Sequence, residues 1–298
     1  MSVRVNPNLA PDLTAGLELA RQQLNVADLQ LASGRSINAP SDNPSGTAAL
    51  VLNHDAQNQT DTFQRNVTDL QSTLQIADSV LGSAVSAANQ AISLGVEAGN
   101  STLSNQNRQA IANQLVGIQK QLVAIANTSA SGTYLFAGTL VESQPFTLNP
   151  AAAAGVNYNG NSAVTSVQIA NGESVSINSP GNQIFMNPSG NLFLAVNQLI
   201  SAVQTNSGIA AASTALGQAS SEFSAQRVSY GTALNQLQST GTFLSNEKVQ
   251  LSTEETNIAG ADIAKVASDF SQAQIAYNSA LTAEGKILNL PNLLSFIQ

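Results

Sequence analysis

Ile209, Leu216, Phe223, Tyr230, Leu237, Leu244, Leu251 and Ile258 stand seven residues apart without a miss. Two turns of slightly under-wound helix return every seventh residue to the same side, so this spacing predicts one long helix with an apolar seam facing a partner. At a rise of about 1.5 Å per residue it would run on the order of 70 Å. Compact enzymes seldom need such a rod, and the pattern points to a structural part. The companion positions, four residues on, include Arg227, Lys248 and Glu255 where a strict dimeric coiled coil prefers Val or Ile. Two readings follow. Either the seam is one residue wide and these side chains stretch out to water, or they fix register or partner choice. The sequence favours the first.

Elsewhere the same period recurs. Leu13, Leu17, Ala20, Leu24, Ala27 and Leu31 alternate steps of four and three, opening at Asp12 as an N-cap after Pro11. Prolines, glycines and Asx residues between Ser33 and Gly46 then make a loop. A second helical run is predicted from about Thr47 to Val96, with Phe63, Val67, Leu70, Leu74, Ala77, Leu81, Ala84 and Ala88 as its seam, broken by Gly99-Asn100. A third run shows Ile111, Leu115, Ile118, Leu122 and Ile125. Short connections favour antiparallel neighbours.

After Ser131 the period changes. Ala163–Ala170 and Ser174–Asn178 read as strands, and Asn171-Gly172 between them can take the positive φ values of a tight hairpin. Tyr158 precedes a second such pair, Asn159-Gly160. One hairpin is barely stable alone, so it must pack on something or gain further strands. Helix returns at Asn191, a candidate N-cap, with Phe193, Val196, Leu199, Ile200 and Val203. The long heptad slips phase at Gly260-Ala261-Asp262. A new seam follows: Ile263, Val266, Phe270, Ala273, Tyr277, Ala280 and Ile287.

The expected fold is therefore mainly α: an elongated antiparallel helical bundle or coiled coil with paired N- and C-terminal helices and a small β-rich insertion. The terminal helices occupy 1–45 and 259–298, the bundle 46–138 and 189–258, and the insertion 139–188. Within the bundle the core seam is Phe223, Tyr230, Leu237, Leu244, Leu251 and Ile258.

Composition narrows the functions. Charged residues are 9% of the chain, against roughly a quarter in average globular proteins, so surface polarity comes from Ser, Thr, Asn and Gln. Such surfaces suit subunits that pack against copies of themselves. The net charge is -8 with ten Lys and Arg in no cluster, which argues against nucleic acid as a partner. Aromatics are 4% and Trp is absent, which disfavours base-stacking platforms. With no cysteine, disulfides, thiolate catalysis and Cys-ligated zinc are excluded. The opening MSVRVNPNLAPDL does not read as a cleavable signal peptide. The most apolar window, Leu192–Val203, is too short to insert across a membrane.

Candidate chemistry is sparse. His54 is the single histidine; a catalytic triad would have to use it, and its neighbour Asp55 points to another helix face, so a solvated histidine is the simpler reading. Glu254-Glu255 and Asp42 match no calcium-loop spacing and read as solvated charge or an intersubunit contact. Asn100-Ser101-Thr102 fits a glycosylation sequon, a pattern too short to carry weight. No cofactor or metal is implied. In the terminal helices, alanines at seam positions bury little area, while ordering the backbone costs about 1–2 kcal/mol per residue. Both ends are therefore expected to order when packed with neighbours.

Leu31–Leu50, LASGRSINAPSDNPSGTAAL, resembles the flagellin-superfamily signature that ends a terminal helix. GNSTLSNQNRQAIANQL (Gly99–Leu115), GTYLFAGTLVESQPF (Gly132–Phe146), and YNGN (Tyr158–Asn161) with VSINSPGNQIF (Val175–Phe185) resemble the hook-associated protein 3 family, the hook–filament junction proteins. Ala261–Ile297 is similar to the last helix of the same group, and the ordered series covers nearly the whole chain. The resemblance implies a structural subunit exported through the flagellar type III apparatus, with an export chaperone on its C-terminal region. It implies an extracellular place in the bacterial flagellum between hook-associated protein 1 and flagellin. The terminal helices would form an inner coiled-coil layer with equivalent helices of other copies, through Leu13, Leu17, Leu24, Leu31, Ile263, Val266, Phe270, Tyr277 and Ile287. A filament flagellin, and a surface-binding module using residues 139–188, stay open as alternatives.

Overall fold

A computed structural model describes residues 9–130 and 132–288. In chain order the helices are α1 (Leu9–Ser33), α2 (Pro44–Ala98) and α3 (Asn105–Ala126). Strands β1 (Ser129–Ala130), β2 (Thr133–Tyr134), β3 (Phe146–Leu148), β4 (Val156–Tyr158), β5 (Ser166–Ala170) and β6 (Glu173–Ser176) follow. The chain then forms a single turn α4 (Gly181–Ile184), strands β7 (Met186–Asn187) and β8 (Gly190–Asn191), and helices α5 (Leu192–Thr205), α6 (Ile209–Ala259) and α7 (Ile263–Leu288). The expected mainly α fold with a β-rich insertion is what forms. Two compact units divide the chain, one made of residues 60–247 and the other of 1–59 with 248–298.

Several helix ends differ from the sequence reading for local reasons. α1 opens three residues ahead of Asp12, which therefore sits in its first turn, where a carboxylate faces the positive end of the helix dipole. α2 begins at Pro44 because Asn43 caps it, its Oδ1 accepting the Gly46 N–H at 2.9 Å. Proline suits the first helical position, having no N–H to leave unpaired. Ser104 caps α3 through the Asn107 N–H, and Asn191 caps α5 through the Leu194 N–H, as its position implied. Buried Arg108 reaches back from α3 to the carbonyls of Ala98 and Leu103. It thereby satisfies one acceptor left at the end of α2 and one in the loop that follows.

Within residues 60–247 the α2 seam from Phe63 to Ala88 is buried at all eight predicted positions, against Ile209, Leu216, Phe223, Tyr230, Leu237 and Leu244 of α6. Small residues flank the α6 seam: Ala219, Ser220 and Thr240 are buried, and a Cβ on Gly241 would lie 3.4 Å from Val67. At Ser220 and Gly241 the companion positions are small, and there α6 leaves room for α2 side chains such as Val67. Arg227 is not simply solvated. It holds Asp78 of α2 by two hydrogen bonds, Nε to Oδ1 at 2.6 Å and Nη2 to Oδ2 at 2.9 Å, so a register-fixing contact replaces the expected solvated side chain.

The β segment forms four separate antiparallel two-stranded ladders spanning Ser129 to Asn191, on both sides of the 139–188 stretch. β5 and β6 pair as expected, but only Gly172 of the turn has positive φ, at +76°. Ile169 bulges out of the ladder between Gln168 and Ala170 and is fully buried. Phe136, Phe146, Phe185, Phe193 and Phe223 support the ladders, each ring within 5.2–5.7 Å of another. Tyr158 joins Phe146 at 5.0 Å and turns its hydroxyl to the carbonyls of Phe136 and Asn161. Asn127 imitates a strand edge, donating to the Phe146 carbonyl and accepting its N–H. Asn178 knots the segment through Gly138, Ala163 and Thr165. These contacts supply the support that an isolated hairpin lacks.

Candidate assembly surface

In the unit made of 1–59 and 248–298, α1 and α7 pack along each other. Their common seam is narrow. Ala20 and Ala27 of α1 and Val266 and Ala273 of α7 are buried, while Leu17, Leu24, Phe270 and Tyr277 are half-buried. Leu31, 37% exposed, closes the α1 seam two residues before the helix ends. Ile263, the first residue of α7, keeps the seam phase one heptad before Phe270 but is 49% exposed at the helix end. Leu13 and Ile287 fall in α1 and α7, and their side chains lie outside the described residues. In the same unit Leu251 and Ile258 of α6 are half-buried, unlike the four seam residues from Phe223 to Leu244.

Large apolar residues also stand outside the seam positions. Leu19, Val26 and Leu29 of α1 and Ile275 and Leu281 of α7 are all exposed. Leu19, Val26 and Leu29 stand about a third to half a turn from the α1 seam and Ile275 about half a turn from the α7 seam, given 100° per residue, so α1 carries a second apolar stripe beside its seam, while Leu281 lies at the edge of the α7 seam. Counting exposed stripes as well as the seam would have found them. Between the helices runs a groove of about 750 Å³ with Leu19, Val26, Ala27, Ala273 and Ala276 as its apolar lining and glutamines and Asp269 on its rim.

The connections beside this helix pair carry the Ser33–Gly46 signature. Gly34 ends α1 in the left-handed region at φ +68°, with its N–H on the Gln30 carbonyl, the usual glycine termination of a helix. Arg35 bridges to Gly260, Ser36 N–H donates to the Ala259 carbonyl at 2.6 Å, and Ala261 N–H donates to the Gly34 carbonyl at 3.0 Å. Glu255 gathers three donors: Arg35 Nη2 at 2.9 Å, His54 Nε2 at 3.1 Å and Gln57 Nε2 at 2.9 Å. Those contacts, Gln57 and His54 first, hold its carboxyl below the usual range. His54 and Glu255 are thus paired with each other rather than simply solvated. Asp42 is lowered too, since its carboxylate accepts the Asn38 and Ala39 N–H groups and so braces the loop. Ile37, Leu50, Ile258 and Ala259 form a small apolar floor beneath.

A long α2 and α6, a paired α1 and α7, and a β segment inserted between are the layout of a known family. The bacterial flagellin N-terminal helical region matches residues 8–140, and the bacterial flagellin C-terminal helical region matches residues 213–297. This chain belongs to the flagellin superfamily. Among flagellin-superfamily relatives, flagellar hook-associated protein 3 of Salmonella typhimurium is 32% identical over 190 residues, 59% of this chain and 58% of the relative. The match thus spans less than two thirds of that relative's length. Two solved structures share the fold. FlgL of Xanthomonas campestris has a TM-score of 0.60 at 19% identity, covering 68% of this chain and 99% of that one. Flagellar hook associated protein-3 of Legionella pneumophila has a TM-score of 0.62 at 16% identity, covering 70% and 98%.

Proposed function

We propose that this flagellin-superfamily chain is a structural subunit of the bacterial flagellum that forms the junction between hook and filament. Its work is assembly: α1 and α7 pack beside equivalent helices of other copies, through the seam residues above and the exposed stripe of Leu19, Val26, Leu29 and Ile275. That stripe is the observation that carries the reading. A helix pair whose shared seam is built on alanine gains little from its own contact. Covering each exposed Leu, Val or Ile contributes on the order of 1.5–3 kcal/mol, offset by the cost of association. Ring closure requires different patches on the two sides of each copy, and the α1 stripe together with Ile275 of α7 places exposed apolar surface on two helices.

Hook-associated protein 1 and flagellin are the neighbours this role requires on the two sides, outside the cell, after export through the flagellar type III apparatus with a chaperone. Similarity to hook-associated protein 3 supports the assignment. The test is an in-frame deletion in the bacterium that encodes the chain. Retained hooks, absent filaments and flagellin shed into the medium are expected. Normal filaments after deletion would sink the proposal. Hooks and junctions lacking only their polymer, with purified chain extending into filaments by itself, would favour a flagellin instead.

A further inference from the structure

The two connections that lead into the terminal helices are tied to each other. α1 reaches α2 through residues 34–43 and α6 reaches α7 through residues 260–262. At their meeting point the backbone contacts are the Arg35–Gly260 bridge, Ser36 N–H on Ala259 and Ala261 N–H on Gly34. Gly260 closes α6 tightly, its N–H on the Thr256 carbonyl at 2.7 Å, where a Cβ would come within 2.4 Å of that oxygen. Movement of one connection therefore drags the other.

We propose that the two connections form one coupled joint, and that Glu255 is its positioning residue, fixing the direction in which the α1–α7 pair leaves the ends of α2 and α6. The donors on Glu255 divide into two kinds. His54 and Gln57 come from α2, and Gln57 is itself held by Asn53 Oδ1 at 2.6 Å while Asn53 Nδ2 holds the Leu251 carbonyl at 3.1 Å. This array keeps Glu255 in place on the helix ends. Arg35 alone among the three comes from the moving connection, and its side chain is 40% exposed.

The arrangement has a physical consequence. When the joint opens, Arg35 passes to water and Glu255 keeps two donors, so no carboxylate is left without a partner. Orphaning a buried acceptor is what makes most such contacts costly to break, and here that cost is absent. The floor beneath is small, made of Ile37, Leu50, Ile258 and Ala259. A half-exposed ion pair is also screened by salt. The joint is a latch that opens and recloses, with Arg35 as its bolt. It stands on the chain's own geometry, independent of the junction assignment.

Because the chain lacks cysteine, spin labels can be attached at Asp28→Cys on α1 and Leu52→Cys on α2, both exposed. Pulsed electron resonance on the full chain then reads the distance across the joint. A dominant narrow distance is expected in the otherwise unchanged chain, since exchange reads openings of α1 too rare to appear in a distance distribution. Arg35→Gln and Glu255→Gln should each add a second, broad population with helical content by circular dichroism unchanged. Raising salt to about 1 M, where the screening length falls to about 3 Å, should do the same without any substitution at the latch. The same narrow distance in both variants overturns the proposal. If a variant loses helix, the salt titration decides, and a distance indifferent to salt overturns it equally.

Discussion

Arg227 grips Asp78 with two prongs, at 2.6 and 2.9 Å, fastening α6 to α2 across 149 positions of sequence. The guanidinium holds the Asp78 carboxyl below its ordinary value, chiefly through the hydrogen bonds and then through charge. A carboxyl whose folded pKa is depressed stabilises the fold fully above its unfolded value, and that contribution is lost as pH falls through the folded value. Asp78→Asn should therefore destabilise residues 60–247 at neutral pH by about 0.5–1 kcal/mol, modest because both groups are partly exposed. Urea midpoints of parent and variant should converge below about pH 4, the ordinary aspartate range. A gap that stays constant down to acid would contradict this role.

Phe146 is fully buried and touches Phe185, Phe193 and Tyr158. Removing it opens a cavity at the point where the β ladders meet the helices. Phe146→Ala should cost about 3–5 kcal/mol, measured by chemical denaturation followed through aromatic circular dichroism. A loss near zero would mean the ladders do not lean on this cluster.

The exposed stripe makes the opposite kind of prediction. Leu19→Ser and Val26→Ser remove apolar surface that is 57% and 51% exposed, so each should change the stability of the isolated chain by less than about 0.5 kcal/mol. The pair should nevertheless reduce incorporation into flagella, scored by motility and by immunogold labelling of hook tips. Full motility with both substitutions would remove the stripe from the interface.

How far these features were legible in sequence depends on their period. The seams of α2 and α6 were readable because Phe63 to Ala88 and Ile209 to Leu244 repeat at helical spacing, and periodicity reports burial directly. Asn191 and Gly172 were readable because caps and turns demand specific residue types. The three further ladders were not, since strands of two or three residues carry no period. Asn127 and Asn178 stand in for strand partners there through side chains. Ionic contacts were the least legible part. Arg227 and Glu255 looked solvated because their partners, Asp78, Arg35 and His54, lie 149 to 220 residues away. Leu19, Val26 and Ile275 were not legible because one seam sets the apparent period of a helix and these residues stand out of its phase.

Amide hydrogen exchange, read separately in the free chain and in flagella, bears most directly on assembly through α1 and α7. With Ala20, Ala27 and Ala273 at the centre of their contact, the pair should open readily alone and be held shut by neighbours. Residues 14–32 and 263–286 should exchange quickly in the free chain and slowly once assembled, while α2 and α6 between 63 and 95 and between 216 and 244 stay protected in both. Equal, strong protection of α1 and α7 in the free chain and in flagella would contradict the account.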